Sequence, residues 1–299
     1  MTIPHEIRAN NSRLLYLVSD WLNKHEDLID AAEVAELSEA CGVDAAYAYA
    51  LLLAAAYGFE VDENPAHRRF FEGWLLPMLS EQPLAPYVED AYYQSIKIPT
   101  ERKGSWQLRT QLIQPCQPFV CNDMLRLDDG RVLPQIGFFT APFPYPAVLE
   151  DDREWMTLMP NETISTLPAV AEASGRVLTY GLGLGYFSFM AANKPDVTSV
   201  TVVERDPQVI ALFRQYILPQ FPQPQKIRIV EADAFEFAAR EMPKGAYDFV
   251  FADIWHDVGD GLPLYRRFKE LEPLSPHTRY MYRIEPTMLC YEDDSLWAE

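Results

Sequence analysis

Three alternating glycines constrain this chain more than any other feature. In Arg176-Val-Leu-Thr-Tyr-Gly-Leu-Gly-Leu-Gly-Tyr186 an apolar, strand-like run empties into Gly181, Gly183 and Gly185, and an apolar helix-like segment, Phe187 to Ala192, comes next. With no Cβ at any of the three, a tight strand-to-helix crossing can take positive φ, and a ligand can approach the main chain and the helix N-terminus. A crossing of this kind is a nucleotide-binding turn; the competing reading is a plain glycine turn beside acids that only solubilise strand ends.

The segments after the loop favour the first reading. Ser199-Val-Thr-Val-Val-Glu204 reads as a second buried strand closed by an acid, where α/β nucleotide folds hold a ribose diol with a carboxylate. Glu204 is the ribose candidate, with Arg205 beside it. A helix is expected over Pro207 to Ile217, then a third strand, Lys226 to Asp233, followed by Ala234-Phe235. A fourth run, Ala246-Tyr-Asp-Phe-Val-Phe-Ala-Asp253, again closes on an acid. Strands alternating with helices predict a parallel sheet, and Glu204, Asp233 with Ala234, and Asp253 then share its carboxyl edge, where ligands of open α/β folds bind.

Together these motifs resemble the class I S-adenosylmethionine-dependent methyltransferases, over Asn161 to Asp257. The resemblance implies a Rossmann-like methyltransferase domain and S-adenosylmethionine as cofactor. In that family the glycine loop cradles the methionine part, an acid after the second strand binds the ribose, an acid after the third faces the adenine amine, and the fourth strand's end borders the methyl group. Those roles fall on Gly181, Gly183 and Gly185, on Glu204, on Asp233 and on Asp253. Met159-Pro-Asn-Glu162-Thr163 looks like the family's accessory cofactor segment and adds Glu162.

The chain departs from that pattern at Thr179, where the family often has an acid two residues before the first glycine. Polyamine synthases also lack it, and the chain is similar to them in Asp206-Pro-x-Val-Ile210 and in a β-rich segment ahead of the cofactor domain. Their fourth strand typically runs into Asp-Ser-x-Asp-Pro, whereas this chain has Asp253-Ile-Trp-His-Asp257. Aminopropyl transfer from decarboxylated S-adenosylmethionine therefore ranks second. A nicotinamide dehydrogenase would place its third glycine where Tyr186 stands. A module that binds the cofactor without turnover is a further alternative, since fold does not guarantee chemistry.

The 299 residues suggest about two domains by length, and 48% are hydrophobic, enough for a large core. Met1 to Trp21 is polar and interrupted, and the apolar patch Ala45 to Phe59 is shorter than a membrane span, so a cytoplasmic protein is expected. Cys116 and Cys121 are the only close cysteine pair, without the partners of a zinc site, so reduced thiols and no metal are expected. A net charge of −19 with no long Lys/Arg run disfavours nucleic acid and suits a cationic or neutral small-molecule substrate. His67-Arg68-Arg69 and Arg266-Arg267 read as helix-surface decoration.

Residues 1–95 read as an all-α cap: Leu14, Leu15, Val18, Trp21 and Leu22 share a face, and Ala32 to Cys41 stops at Gly42. Glu36 to Val43 followed by Ala45 to Leu53 faintly resembles a helix-turn-helix, but the second helix carries no Arg, Lys, Asn or Gln to touch bases. Helical packing or homodimer formation is the better reading. Residues 96–160 form a β-rich bridging segment, with alternation at Trp106, Leu108, Thr110 and Leu112, a hairpin at Asp128-Asp-Gly130 and a turn at Glu150 to Arg153. Phe138-Phe139 and Pro142-Phe-Pro-Tyr-Pro146 are either pocket wall or a stiff packed loop. Residues 161–299 are the Rossmann-like domain, with a helix over Leu262 to Leu271 and a fifth strand over Arg279 to Ile284. Too little chain remains for the family's terminal hairpin, so five strands are expected.

Methyl transfer from a sulfonium needs chiefly an aligned nucleophile and a dry site. Tyr180, Tyr186 and Trp255 are within sequence reach of the loop as faces for a cation. Asp253, His256 and Asp257, just beyond the fourth strand, are the candidate proton acceptors, and His256 leads them because an ordinary imidazole titrates near neutrality.

Overall fold

The computed structural model describes residues 3–298, so Met1, Thr2 and Glu299, the ends of the outer segments, lie outside the description. The strands, in chain order, are β1 (Leu79–Glu81), β2 (Glu101–Lys103), β3 (Trp106–Ile113), β4 (Phe119–Arg126), β5 (Val132–Phe138), β6 (Phe143–Glu150), β7 (Arg153–Thr157), β8 (Gly175–Tyr180), β9 (Val197–Glu204), β10 (Ile227–Glu231), β11 (Phe249–Ala252) and β12 (Arg279–Tyr282). The chain forms two compact units that interleave along the sequence: residues 1–84, 112–143 and 289–299 in one, residues 85–111 and 144–288 in the other. The expected divisions at 95 and 160 do not coincide with these units, each of which joins segments distant in sequence.

The first unit has helices His5–Lys24, Ala31–Cys41 and Ala45–Ala56 and a three-stranded sheet ordered β1-β5-β4. β1 pairs parallel with β5, Leu79 opposite Ile136 and Glu81 opposite Phe138. The expected all-α cap thus contributes a strand, too short at three residues to show a period. β4 and β5 form the hairpin expected at Asp128-Asp-Gly130, closed by Leu127 N–H donating to Arg131 O at 2.9 Å. Phe138 and Phe139 are fully buried in this unit and so are packing residues. Asn11, also buried, donates to Gly130 O and Leu296 O and accepts from Trp74 Nε1 and Val132 N. No single described helix is long and apolar enough to cross a membrane, and Ala45–Ala56 buries Ala48, Tyr49, Ala50, Leu53 and Ala54.

The second unit is α/β and carries the glycine loop. Its main sheet has five strands, all parallel, ordered β10-β9-β8-β11-β12. Val197–Glu204 and Phe249–Ala252 are nearly continuous apolar runs because helices cover both faces. Residues 285–292 are helical, and among the described residues no strand follows β12. A second, four-stranded sheet is ordered β2-β3-β6-β7. The alternation expected along β3 holds at Trp106 and Leu108, which are buried, and fails at Thr110 and Leu112, which are exposed. β6 and β7 turn at Asp151 and Asp152, both in the left-handed region at φ 48° and 65°, a conformation that Asp tolerates.

Helices after β9, β10 and β11 each open on an aspartate whose side chain accepts backbone N–H groups: Asp206 from Gln208 and Val209, Asp233 from Phe235 and Glu236, Asp257 from Gly259. β8 sits in the middle of the sheet, so its exit is crowded. Gly181 N–H donates to Val203 O on β9 at 2.9 Å, its φ is +95°, and a Cβ there would strike the Asp253 backbone oxygen. At Gly183, φ +47°, a Cβ would instead meet the Met156 Sδ, the end of a flexible side chain. Gly183→Ala should therefore cost about 1 kcal/mol, the strain of a left-handed alanine. Gly181→Ala should cost roughly 3 kcal/mol or more, because backbone cannot step aside. Urea unfolding of both variants measures this, and equal losses would contradict the crossing described.

Candidate functional site

A cavity of about 280 Å³ opens at the carboxyl edge of the parallel sheet. The loop forms its floor through Gly181, Leu182 and Gly183; the end of β9 contributes Glu204, Arg205 and Asp206; Ala232, Asp233, Ala234 and Phe235 come after β10. Asp253, Ile254, Trp255 and His256 come from the end of β11, and Trp106, Glu150, Trp155 and Met156 from the four-stranded sheet. Topology explains the convergence, since parallel strands deliver all their carboxyl ends to one edge and β8, β9 and β11 are adjacent there.

Glu204 ties the loop down. Its Oε2 accepts from Leu182 N–H at 3.2 Å and its Oε1 from Asp206 N–H at 2.9 Å. Each carboxylate oxygen has a second lone pair, so the group can still accept from a hydroxyl in the cavity. Asp233 uses Oδ1 for both capping bonds, at 2.9 Å each, which leaves Oδ2 for a ligand donor. Asp206 divides its oxygens likewise, Oδ1 capping its helix and Oδ2 accepting from Trp106 Nε1 at 3.1 Å. Phe235 packs against Phe268, and the Arg267 guanidinium lies 3.8 Å from its ring centroid, so this half of the expected basic pair supports the wall.

His256 lines the cavity about half-exposed. Its Nδ1 is 3.1 Å from Asp260 Oδ2, and its ring meets Trp155 edge-on at 4.2 Å between centroids. Partial burial pushes Asp260 up, but N–H groups of Asp257 and His256 and the His256 ring outweigh it and hold the carboxyl below its ordinary range. Trp155 in turn meets Trp106 at 5.6 Å, so two indoles and an imidazole make one aromatic wall.

A smaller cavity of about 40 Å³ adjoins the larger along the loop, lined by Glu162, Thr166, Thr179, Gly185, Ser188 and Asp253 among others. Met156, Gly181, Leu182 and Asp253 border both cavities. Beside it sits Arg283, just past β12 and only 4% exposed, hydrogen-bonded through Nη2 to Glu162 and through Nη1 to Asp253 at 3.3 Å. Its main chain is fixed on both sides: Arg283 N–H donates to Ala252 O at 3.1 Å, and Trp255 Nε1 donates to Arg283 O at 3.2 Å. Burial pushes the Glu162 carboxyl up to about 7, Arg283 opposing the rise and Asp253 adding to it. Burial raises Asp253 as well, against Arg283 and His256.

Most of the residues read from sequence thus meet at one edge: Gly181, Gly183, Glu204, Arg205, Asp233, Ala234, Asp253, His256 and Trp255 around the larger cavity, Glu162, Gly185 and Tyr186 around the smaller. Two do not. Tyr180 is fully buried against Phe237 and Phe268, its hydroxyl 3.3 Å from Met242 Sδ, because strand alternation sends it to the opposite face from Thr179. Asp257 lines neither cavity; it caps a helix, accepting from Gly259 N–H at 2.6 Å and forming a reciprocal capping box with Asp260. Sequence reasoning missed Arg283, Trp155, Met156 and Asp260. Arg283 had a signal, since it comes directly after the fifth strand and so lies on the same edge, but a base there is unlike the acids that close the other strands.

No family model matches the chain, and no curated protein matches it. Solved structures similar to it include precorrin-8w decarboxylase of Methanobacterium thermoautotrophicum, 18% identical over 41% of this chain and 62% of that one, TM-score 0.31. A Staphylococcus aureus protein assigned as a caffeoyl-CoA O-methyltransferase is 22% identical over 40% of this chain and 55% of that one, TM-score 0.30. Spermidine synthase of Thermotoga maritima is 17% identical over 42% of this chain and 48% of that one, TM-score 0.31. The matches span about half to three fifths of those proteins, and at these scores the activity has to be argued from the site.

Glu162 gives the protein a pH dependence. Its folded value lies above its unfolded value, so the stability its proton contributes is present below about pH 4.5 and is lost as pH rises through about 7. Glu162→Gln cannot ionise, so its urea midpoint should gain on the wild type from about pH 5 to 8. Parallel pH profiles for the two proteins would contradict the burial described.

Proposed function

We propose that the protein is an S-adenosylmethionine-dependent methyltransferase acting on a small molecule. The observation that carries this reading is the larger cavity, where the glycine loop, Glu204, Asp233 with Ala234, and Asp253 line one space. The residues fit that cofactor. Glu204 and Asp233 retain acceptor capacity for ribose hydroxyls and an adenine amine, Phe235 offers an aromatic wall, and Gly183 leaves the main chain open but for the movable Met156.

The chemistry that the cofactor supplies is a methyl group on a sulfonium, which is already electrophilic. The protein's work is then placement, exclusion of water and removal of a proton from the acceptor. Trp106 and Trp155 line the cavity with aromatic rings, a surface that suits a cation. His256, with Asp260 3.1 Å from Nδ1 to orient the ring, serves as the proton acceptor. Asp253, hydrogen-bonded by Arg283, would border the bound cofactor beside the loop.

Aminopropyl transfer is the second reading, favoured by the charge around the cavity. Glu150, Glu204, Asp206, Asp233, Asp253 and Asp260 line it against Arg205 and His256, a balance that suits an amine acceptor.

Calorimetric titration with S-adenosylmethionine, its decarboxylated form and NAD separates the readings. The expected result is preference for intact S-adenosylmethionine, with binding lost in Glu204→Ala while that variant still melts cooperatively. Preference for the decarboxylated form would move the reading to aminopropyl transfer, and preference for NAD to a dehydrogenase. Undiminished binding by folded Glu204→Ala would overturn the ribose assignment.

A further inference from the structure

The far half of the glycine loop is held by Asp90 and Tyr92, which line neither cavity. The near half is tied down by Val203 O, which accepts from Gly181 N–H, and by Glu204, which accepts from Leu182 N–H. From Leu184 onward the chain turns into the helix Tyr186–Ala192, whose N-cap, Gly185, has φ +77° and no side chain to bond the first N–H groups. A glycine at that place leaves the turn free to move unless its neighbours fix it.

Those neighbours belong to the helix Ala91–Ser95 and its cap, in the same unit but 92 residues earlier in the chain. Tyr92, only 1% exposed, donates its hydroxyl to Leu184 O at 2.5 Å, and its ring meets those of Tyr186 and Phe189 at 5.7 and 5.3 Å between centroids. Burial pushes that hydroxyl far above its ordinary range, so it stays protonated and donates. Asp90 caps its own helix with Oδ1, accepting from Tyr92 and Tyr93 N–H, and with Oδ2 accepts from the Tyr186 hydroxyl at 3.0 Å. The residues on either side of Gly185 are thus bonded to one turn of another helix. The Leu184–Gly185 peptide matters most, because its N–H side donates to Leu182 O at 2.8 Å and closes the loop. Leu184 is buried, and a buried carbonyl without a donor is costly, so loss of the Tyr92 hydroxyl would turn this peptide and loosen the closure.

We propose that Tyr92 is a positioning residue for ligand binding at the glycine loop: by holding the Leu184–Gly185 peptide it keeps Leu182 and Gly183 in the conformation that floors the larger cavity. The choice of ligand rests on the adenosyl-cofactor reading above, whereas the restraint on the loop exists without a ligand. Tyr93 provides the control, since its hydroxyl also donates to a main-chain oxygen, that of Leu158, which lies outside the loop.

The test compares full-length wild type, Tyr92→Phe and Tyr93→Phe by hydrogen–deuterium exchange of the free proteins and by calorimetry with S-adenosylhomocysteine. Tyr92→Phe should exchange about ten-fold faster at 182–187 and bind S-adenosylhomocysteine about five-fold or more weakly, the scale of one buried hydrogen bond, while Tyr93→Phe keeps the wild-type values of both. Wild-type affinity in a folded Tyr92→Phe, with or without a change in exchange, would overturn the proposal. Equal changes in the two variants would overturn it as well and leave Tyr92 with a packing role. If Tyr92→Phe does not fold, the wild type decides alone: S-adenosylhomocysteine should slow exchange at 90–95 together with 181–187, because coupling between two sites is reciprocal, and unchanged exchange at 90–95 would overturn the proposal. A wild type that does not bind S-adenosylhomocysteine would overturn the cofactor reading, a distinct outcome, while exchange of the free proteins still decides whether Tyr92 holds the loop.

Discussion

The site depends on the backbone crossing at Gly181. β8 is paired on both sides, by β9 and β11, and its next residue has to leave the sheet between them. Gly181 does so with its N–H on Val203 O and its Cα close enough to Asp253 O that no side chain fits. That single contact fixes the loop against the ends of both neighbouring strands. Glu204 then reaches Leu182 N–H from one side, and Asp253 borders the loop from the other. A larger residue at 181 would separate the strand ends and, with them, the acids that line the cavity.

Charge is set by this geometry. Helices that begin at a parallel sheet's carboxyl edge expose N–H groups there, and Asp206, Asp233 and Asp257 satisfy them. Asp206 and Asp233 thus cap their helices while lining the cavity, whereas Asp257 caps its helix outside it. Arg283 offsets part of the resulting negative potential between Glu162 and Asp253, and Arg205 lines the cavity beside the other acids.

How far the sequence revealed this depended on how local each signal was. The glycine run, the acids after β9, β10 and β11 and the five-strand count were legible, because parallel strands buried on both faces read as apolar runs and an acid or a glycine marks where each run stops. Tyr180 was misread because nearness in sequence to Gly181 is not nearness in space; one step along a strand reverses the face. Asp257 could have been recognised as a cap from Asp257-x-x-Asp260 at the start of a helical pattern. Arg283 lay beyond reach by charge sign alone, since its role comes from two acids 121 and 30 residues away. The parallel pairing of β1 with β5 left no local trace, as three residues cannot show a period and parallel partners need not be adjacent in sequence.

The central claim is that the glycine loop and the acids around it hold an adenosyl ligand. Hydrogen–deuterium exchange of the full chain with and without S-adenosylhomocysteine tests it most directly, because exchange reports where the backbone is covered as well as whether binding occurs. The account predicts slower exchange at 181–185, 204–206 and 232–236 together, with little change in the first unit. Protection confined to other segments, or no protection at saturating ligand, would contradict it.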